Sequence, residues 1–277
     1  EDKKAAETIR TDCDGKSALV LKVEKQKKII QPPRLYDLTT LQRECNRLYG
    51  FTAQQTLDYL QSLYEKKLAT YPRTASQFIT ADMQATVGSL ALWLWQNMPF
   101  SKDCTAAPEL ERIINDSKVT DHHAILPTVE IARTDLSALP AGEKDVLMLL
   151  SARLLCATSQ AHRFEAITAT LEVAGHTFTA KGKTILYEGW KGIDSAFRAG
   201  LKQKDIPEDN NGEMEYLPEL KEGQTFEAVA AGVREGKTSP PKHYTEDSLL
   251  AAMETAGTED MPDDVERKGL GTSATRA

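Results

Sequence analysis

Cysteine is scarce and scattered. Cys13, Cys45, Cys104 and Cys156 stand far apart, and no two form a Cys-x-x-Cys pair. That usage excludes a zinc ribbon or a disulfide scaffold and describes reduced thiols in a cytoplasmic protein. No apolar run reaches the roughly 20 residues of a membrane span. The longest candidate, Val87 to Met98, is interrupted by Gly88, Ser89, Gln96 and Asn97 and fits a buried helix, so no membrane partner is expected. The first residues are charged and lack the apolar core of a signal peptide. An excess of positive charge is also lacking. The formal net charge is −7, which argues against a protein that coats nucleic acid without specificity. No internal repeat is visible.

With 277 residues and 40% hydrophobic content, the chain can bury a core of one large or two moderate domains. Its charge is uneven: residues 1–78 hold 14 Lys/Arg against 10 Asp/Glu, and residues 205–264 hold 4 against 16. A nucleic-acid path would follow the first stretch and avoid the second. Clusters such as Lys22 to Lys28 and Lys66-Lys67 fit either a solvated face or a phosphate contact.

Periodicity predicts a helix over Glu1 to Arg10 and a strand over Ser17 to Ile30, with Leu19, Leu21 and Val23 on one side. After Pro32-Pro33 come helices over Thr39 to Tyr49, closed by Gly50, and Thr52 to Lys67, opened by the capping-box pair Thr52 and Gln55. Further helices are predicted from Thr80 to about Asn97, over Glu109 to Asn115, and over Gly142 to Ser159. Three β segments follow, at Glu165 to Val173, His176 to Lys181 and Gln224 to Val233. Gln203 to Gly223, polar and acidic with Asn210-Asn211-Gly212, reads as a loop with a disordered tip. Beyond Pro240-Pro241, Thr245 to Thr255 is again helical. β elements flanking a helical block describe an α+β chain, a β-rich domain with a helical domain inserted into it.

One short stretch carries the chemistry. Residues 69–80 read Ala-Thr-Tyr-Pro-Arg-Thr-Ala-Ser-Gln-Phe-Ile-Thr. Pro72 fixes its own φ and keeps Tyr71 out of the helical region, so the local chain is extended. Residues two apart then share a side, and Tyr71 and Arg73 address one ligand. A phenol has a pKa near ~10 and is about 0.1% ionised at neutral pH. A neighbouring guanidinium favours the phenolate and also grips a phosphate. That combination suits a tyrosine nucleophile attacking a phosphodiester, although such a tripeptide also occurs in inert surface turns.

Leu68 to Ser76 resembles the active-site signature of the type IA DNA topoisomerases. Three more blocks occur in that family's order: Leu35-Tyr-Asp-Leu-Thr-Thr-Leu-Gln42, Thr120-Asp-His-His-Ala-Ile-Leu-Pro-Thr128 and Gly269-Leu-Gly-Thr-Ser-Ala-Thr-Arg-Ala277. The wording is similar to the bacterial topoisomerase III-like branch. The resemblance implies a β-rich hinge domain, an inserted all-helical gate domain and the start of a further helical DNA-binding domain. The boundaries expected are 1–48 and 163–236 for the hinge, 49–162 for the gate and 237–277 for the last part. It also implies a central fragment, inactive by itself, whose own amino-terminal Toprim domain would hold Mg2+. The expected partner is single-stranded or underwound DNA in the bacterial nucleoid, cut and resealed without ATP.

In that likeness Tyr71 is the nucleophile that forms a 5′-phosphotyrosine, Arg73 steadies the charged transition state, and His122 contacts phosphate near the scissile bond. Thr74, Ser76, Thr272, Thr275 and Arg276 are expected to contact DNA. Gln42 and Thr39 fit equally a helix cap and core. The chain has Ala75 where many family members carry Asp, so no role of that carboxylate transfers. Adjacent His122 and His123 would point apart in extended chain and are not expected to share a metal. The rival is a non-catalytic single-strand-binding module of the same fold. A phosphodiesterase or recombinase using tyrosine would need several further basic residues.

Overall fold

A computed structural model describes residues 3–101, 107–201, 217–257 and 269–271. Helices and an antiparallel sheet are both present, in the α+β class expected. The chain divides into two units. One contains Glu1–Ile30, His162–Glu188 and Pro207–Lys242; the other contains Gln31–Ala161, Gly189–Ile206 and His243–Ala277.

The first unit is built on helix α1 (Lys3–Cys13) and strands β1 (Ala18–Ile30), β2 (His162–Val173), β3 (His176–Tyr187) and β4 (Thr225–Phe226). The sheet order is β3-β2-β1-β4, with every pairing antiparallel. β1 and β2 pair from Ala18 opposite Val173 to Ile30 opposite His162. Ala174 and Gly175 join β2 to β3 with φ of +49° and +82°. Positive φ at both residues matches the twist of the two strands, and Gly175 adopts it without steric cost.

The side of β1 that is buried is not the one the alternation suggested. Ala18 and Val20 are buried, while Leu19 and Leu21 are exposed. A register shift between Val20 and Lys22 takes Leu21 out of the ladder and breaks the alternation. The buried side meets a small cluster of Cys13, Ala18 and Val173, with Leu171, Phe226 and Val229 packed on it. Of the third β segment expected over 224–233, Thr225–Phe226 alone is strand. Ala228 has φ +51°, which cannot continue a strand.

The second unit holds helices α2 (Leu38–Tyr49), α3 (Ala53–Glu65), α4 (Gln84–Asn97), α5 (Ala141–Ala157), α6 (Trp190–Gly200) and α7 (Glu246–Thr255). Local signals set the ends. Asp37 and Thr40 form a capping box at α2, and Gly50 ends that helix at φ +70° with its N–H donating to the Asn46 carbonyl. Thr52 and Gln55 form the expected box at α3. The apolar centre includes Leu41, Leu60, Leu94, Leu147, Leu154 and Leu155, each fully buried.

Three boundaries differ from expectation. The helical unit begins at Gln31 rather than 49, because Leu35, Leu38, Leu41 and Cys45 are buried in its core. Residues 189–206 and 243–277 also group with it. Of these, α7 packs on α2 and α6 on α5. α6 was not anticipated from sequence, although Trp190, Ile193 and Phe197 recur at helical spacing; Ile193 and Phe197 are its buried pair. The expected helix at 109–115 is a single 3-10 turn, Glu111–Ile113. Most of the loop expected at 203–223 lies outside the described residues.

Gly189 starts α6 at φ +55° and ψ −142°, a conformation close to glycine-only. A Cβ there would sit 2.5 Å from the Gln160 carbonyl oxygen and 2.7 Å from that of Ala161. Gly189→Ala is therefore expected to cost about 3 kcal/mol from strain and clash together. Urea denaturation measures it; a loss below about 0.5 kcal/mol would show that this backbone yields easily.

Candidate active site

Three segments interlock to carry the site. The chain leaves α3 through Lys67, held at φ +60°, while the Leu68 N–H donates back to the Leu63 carbonyl (2.8 Å). It then runs beside the 124–128 segment. The Thr70 N–H donates to the Leu126 carbonyl (2.9 Å), and the Leu126 N–H donates to Thr70 Oγ1 (2.9 Å). Residues 35–38 lie between the two loops: Leu38 N–H donates to the Thr74 carbonyl (3.1 Å), and Ile125 N–H donates to that of Tyr36 (2.8 Å).

This lacing brings together residues far apart in sequence. The rings of Tyr71 and His122 stand 4.1 Å apart between centroids, tilted by 35°. Tyr71 is half-buried; His122 and Arg73 are exposed. Tyr64, on α3, meets Tyr71 edge-on at 5.6 Å and 84°. Nothing in the sequence marked Tyr64, since an aromatic on a helix is ordinarily core. His123 is turned to another task, its Nδ1 lying 2.8 Å from the Ala124 carbonyl oxygen.

Thr74 and Ser76, expected to face DNA, are 4% and 7% exposed. Thr74 Oγ1 donates to the His122 carbonyl (2.9 Å) and accepts from the Ser76 N–H (3.1 Å). Ser76 Oγ donates to the Lys118 carbonyl (2.8 Å). Both hydroxyls are thus spent tying the tyrosine loop to the histidine loop. Thr74→Val keeps the shape but leaves a buried N–H and a carbonyl without their partner. It should lower stability by about 1–3 kcal/mol and speed amide exchange at Ser76. Unchanged exchange there would mean the hydroxyl does not hold the loop.

Thr39 and Gln42 are fully buried, and Gln42 Nε2 donates to the Ala53 carbonyl (3.0 Å), which places them in the core and not in the site. Thr272, Thr275 and Arg276 lie outside the described residues. The start of their block is described. Gly269 has φ +60°, and a Cβ on it would lie 2.3 Å from the Glu254 carbonyl oxygen. The glycine therefore lets the chain close on the end of α7, where Leu270 N–H donates to the Met253 carbonyl (2.7 Å).

A family model described as DNA topoisomerase matches residues 1–277. The chain belongs to the type IA DNA topoisomerase family. It is 36% identical over 277 residues to DNA topoisomerase 3 of Bacillus subtilis (strain 168), covering 95% of this chain and 37% of that protein. DNA topoisomerase 3 of Bacillus licheniformis is 37% identical over 279 residues with the same coverage. The chain thus spans about 37% of the length of these curated relatives. The fold matches full-length topoisomerase I from Thermotoga maritima with a TM-score of 0.72 and 19% identity, over 100% of this chain and 41% of that one.

Proposed function

We propose that this chain carries the strand-cleaving tyrosine of a type IA topoisomerase, acting on single-stranded or underwound DNA of the bacterial nucleoid. The observation that carries this is the meeting of Tyr71 with His122 on two loops laced by buried hydroxyls. Tyr71 Oη attacks a DNA phosphorus; the new P–O bond joins tyrosine to the 5′ side, and the bond to the 3′ oxygen breaks. The phenol gives up its proton and the departing 3′ oxygen gains one. His122, whose ring lies against the half-buried phenol, and the exposed Arg73, two residues along the same loop, donate to the phosphoryl oxygens as charge builds on them. Because the ester exchange is reversible and conserves bond energy, resealing runs without ATP.

Among the described residues no group of three His, Cys, Asp or Glu is arranged to hold a metal. No step here passes through magnesium. No helix among the described residues is long and apolar enough to cross a membrane. The helical unit is proposed as the gate that moves and the sheet unit as its hinge. Fluorophores on the two units, reporting constant energy transfer through strand passage, would argue against that motion.

The test joins the chain to a relative's metal-binding domain and incubates it with end-labelled single-stranded DNA and magnesium, followed by denaturation. A protein–DNA adduct mapped by mass spectrometry to Tyr71, with a free 3′ hydroxyl on the other product, is expected. Binding without an adduct under cleaving conditions would favour a non-catalytic strand-binding module.

A further inference from the structure

We infer that Tyr64 is a positioning residue for strand cleavage, its ring steadying the Tyr71 ring against His122. This inference rests on the strand-cleaving function proposed above and adds a residue from outside the four sequence blocks. Tyr71 is the ring that two others share. His122 lies 4.1 Å away at a tilt of 35°, and Tyr64 meets it at 5.6 Å and 84°. In the second, edge-to-face arrangement the positive rim of one ring meets the negative face of the other, an attraction beyond the area it buries. Swinging the Tyr71 side chain into another rotamer would break both contacts, so together they select one place for its hydroxyl oxygen.

The backbone that carries Tyr64 is fixed. It stands on the last turn of α3, where Leu60 and Leu63 are fully buried and anchor the helix. The Lys67 N–H donates to the Tyr64 carbonyl (2.9 Å), and the N–H groups of Leu68 and Ala69 both donate to the Leu63 carbonyl (2.8 and 3.3 Å). Lys67 holds φ +60°, a left-handed conformation uncommon for any residue but glycine. Its carbonyl accepts from Thr128 Oγ1, and the Thr128 N–H donates to the Leu68 carbonyl (3.0 Å). The turn between Tyr64 and Tyr71 is thus pinned to the segment that follows His122.

The core does not require this ring. Thr56, Leu57, Leu60 and Leu63 form the buried face of α3, whereas Tyr64 is 40% exposed. Its hydroxyl makes no hydrogen bond among the described residues, so the contact works through the ring. In-line attack on phosphorus tolerates little error in the place of the attacking oxygen, and a misplacement of about 1 Å costs up to about 10²-fold. His122 is an exposed residue of a loop and bounds Tyr71 on one side. Tyr64 supplies the helix-anchored contact.

The test compares Tyr64→Leu with Tyr64→Phe, in the chain itself and in the chain joined to a relative's metal-binding domain. NMR of the unaltered chain should show a nuclear Overhauser contact between the Tyr71 and His122 rings, with the His122 ring protons shifted upfield by the phenol. Tyr64→Leu should abolish the contact and return the shift toward its unstructured value; Tyr64→Phe should keep both. In the joined protein at saturating single-stranded DNA, Tyr64→Leu should slow single-turnover adduct formation about tenfold with unchanged DNA affinity. Tyr64→Phe should restore the rate. Tyr244→Leu, at a tyrosine 72% exposed, should alter none of these readouts. Tyr64→Gln replaces Tyr64→Leu if the leucine variant does not fold. An intact ring contact in Tyr64→Leu, or a loss confined to DNA affinity, would overturn the inference. So would a Tyr64→Phe as slow as Tyr64→Leu, because the hydroxyl would then be the acting group. If the unaltered joined protein and Tyr64→Leu form the adduct at one rate, the inference falls while the function of Tyr71 stands; if neither forms it, both fall.

Discussion

Tyr71→Phe should abolish the covalent adduct with single-stranded DNA, by a factor on the order of 10⁴ or more, when the chain is joined to a relative's metal-binding domain. Phenylalanine keeps the ring that packs on Tyr64 and His122, so the three-loop arrangement should persist. Stability should change by no more than about 0.5 kcal/mol, and DNA affinity should be nearly preserved. The only chemical group removed is the attacking oxygen. His122→Ala should act more mildly, by roughly 10²-fold, since it removes a donor and leaves the nucleophile. Denaturing gels of trapped complexes measure both. An adduct undiminished in Tyr71→Phe would refute the assignment, because another group would then have to supply the attacking atom.

A large loss of stability is also expected from Glu44→Gln. Glu44 lies on α2, 8% exposed, and its carboxylate meets three arginines: Arg47 from the same helix, Arg153 from α5 at 3.7 Å and Arg198 from α6 at 2.8 Å. The carboxylate thus joins three helices. Removing its charge leaves several guanidinium groups crowded without this shared counter-ion, at a cost of about 3 kcal/mol. The arginines keep part of their solvent, which holds the figure at the low end for a broken buried pair. Burial alone would raise the Glu44 pKa, but Arg47, Arg153 and Arg198 together bring it below the ordinary 4.5. A carboxylate depressed in the folded state stabilises the fold above its unfolded pKa, and that contribution disappears as pH falls through the folded value. The unaltered protein should therefore lose stability on acidification below the ordinary carboxylate range, and Glu44→Gln should show a shallower acid limb. Equal acid limbs in the two proteins would mean that the arginines do not hold this carboxylate ionised.

Much of the local structure was legible from the sequence, because its causes are local. Thr52 with Gln55, and Gly50 after Tyr49, mark helix ends through hydrogen bonds spanning three or four residues. The apolar spacing of Gly142 to Ser159 and the alternation of Glu165 to Val173 follow from the periods of helix and strand alone. Tyr71, Arg73 and His122 were legible as candidates because short motifs hold them. What the motif meant for Thr74 and Ser76 was not legible, since a hydroxyl that binds phosphate and one that donates to a distant carbonyl look the same in sequence.

The rest was decided by tertiary structure. Which side of β1 is buried, that of Ala18 and Val20, and the break in alternation at Leu21 were set by strand pairing and packing that composition does not encode. Helix α6 carries its own apolar stripe, but that the stripe is seated on α5 was decided by tertiary packing. The sequence by itself determined several helix ends, such as the capping boxes and glycine that bound α2 and α3, and the presence of both helical and β-rich stretches. Only the folded chain decided that Tyr71 meets His122, 51 positions away (122 − 71), and that Glu44 meets Arg153 and Arg198. The physical reason is the range of the forces involved. Caps and periodicity act within a few residues, whereas loop lacing and charge clusters exist only once the core has brought distant segments together and removed the water between them.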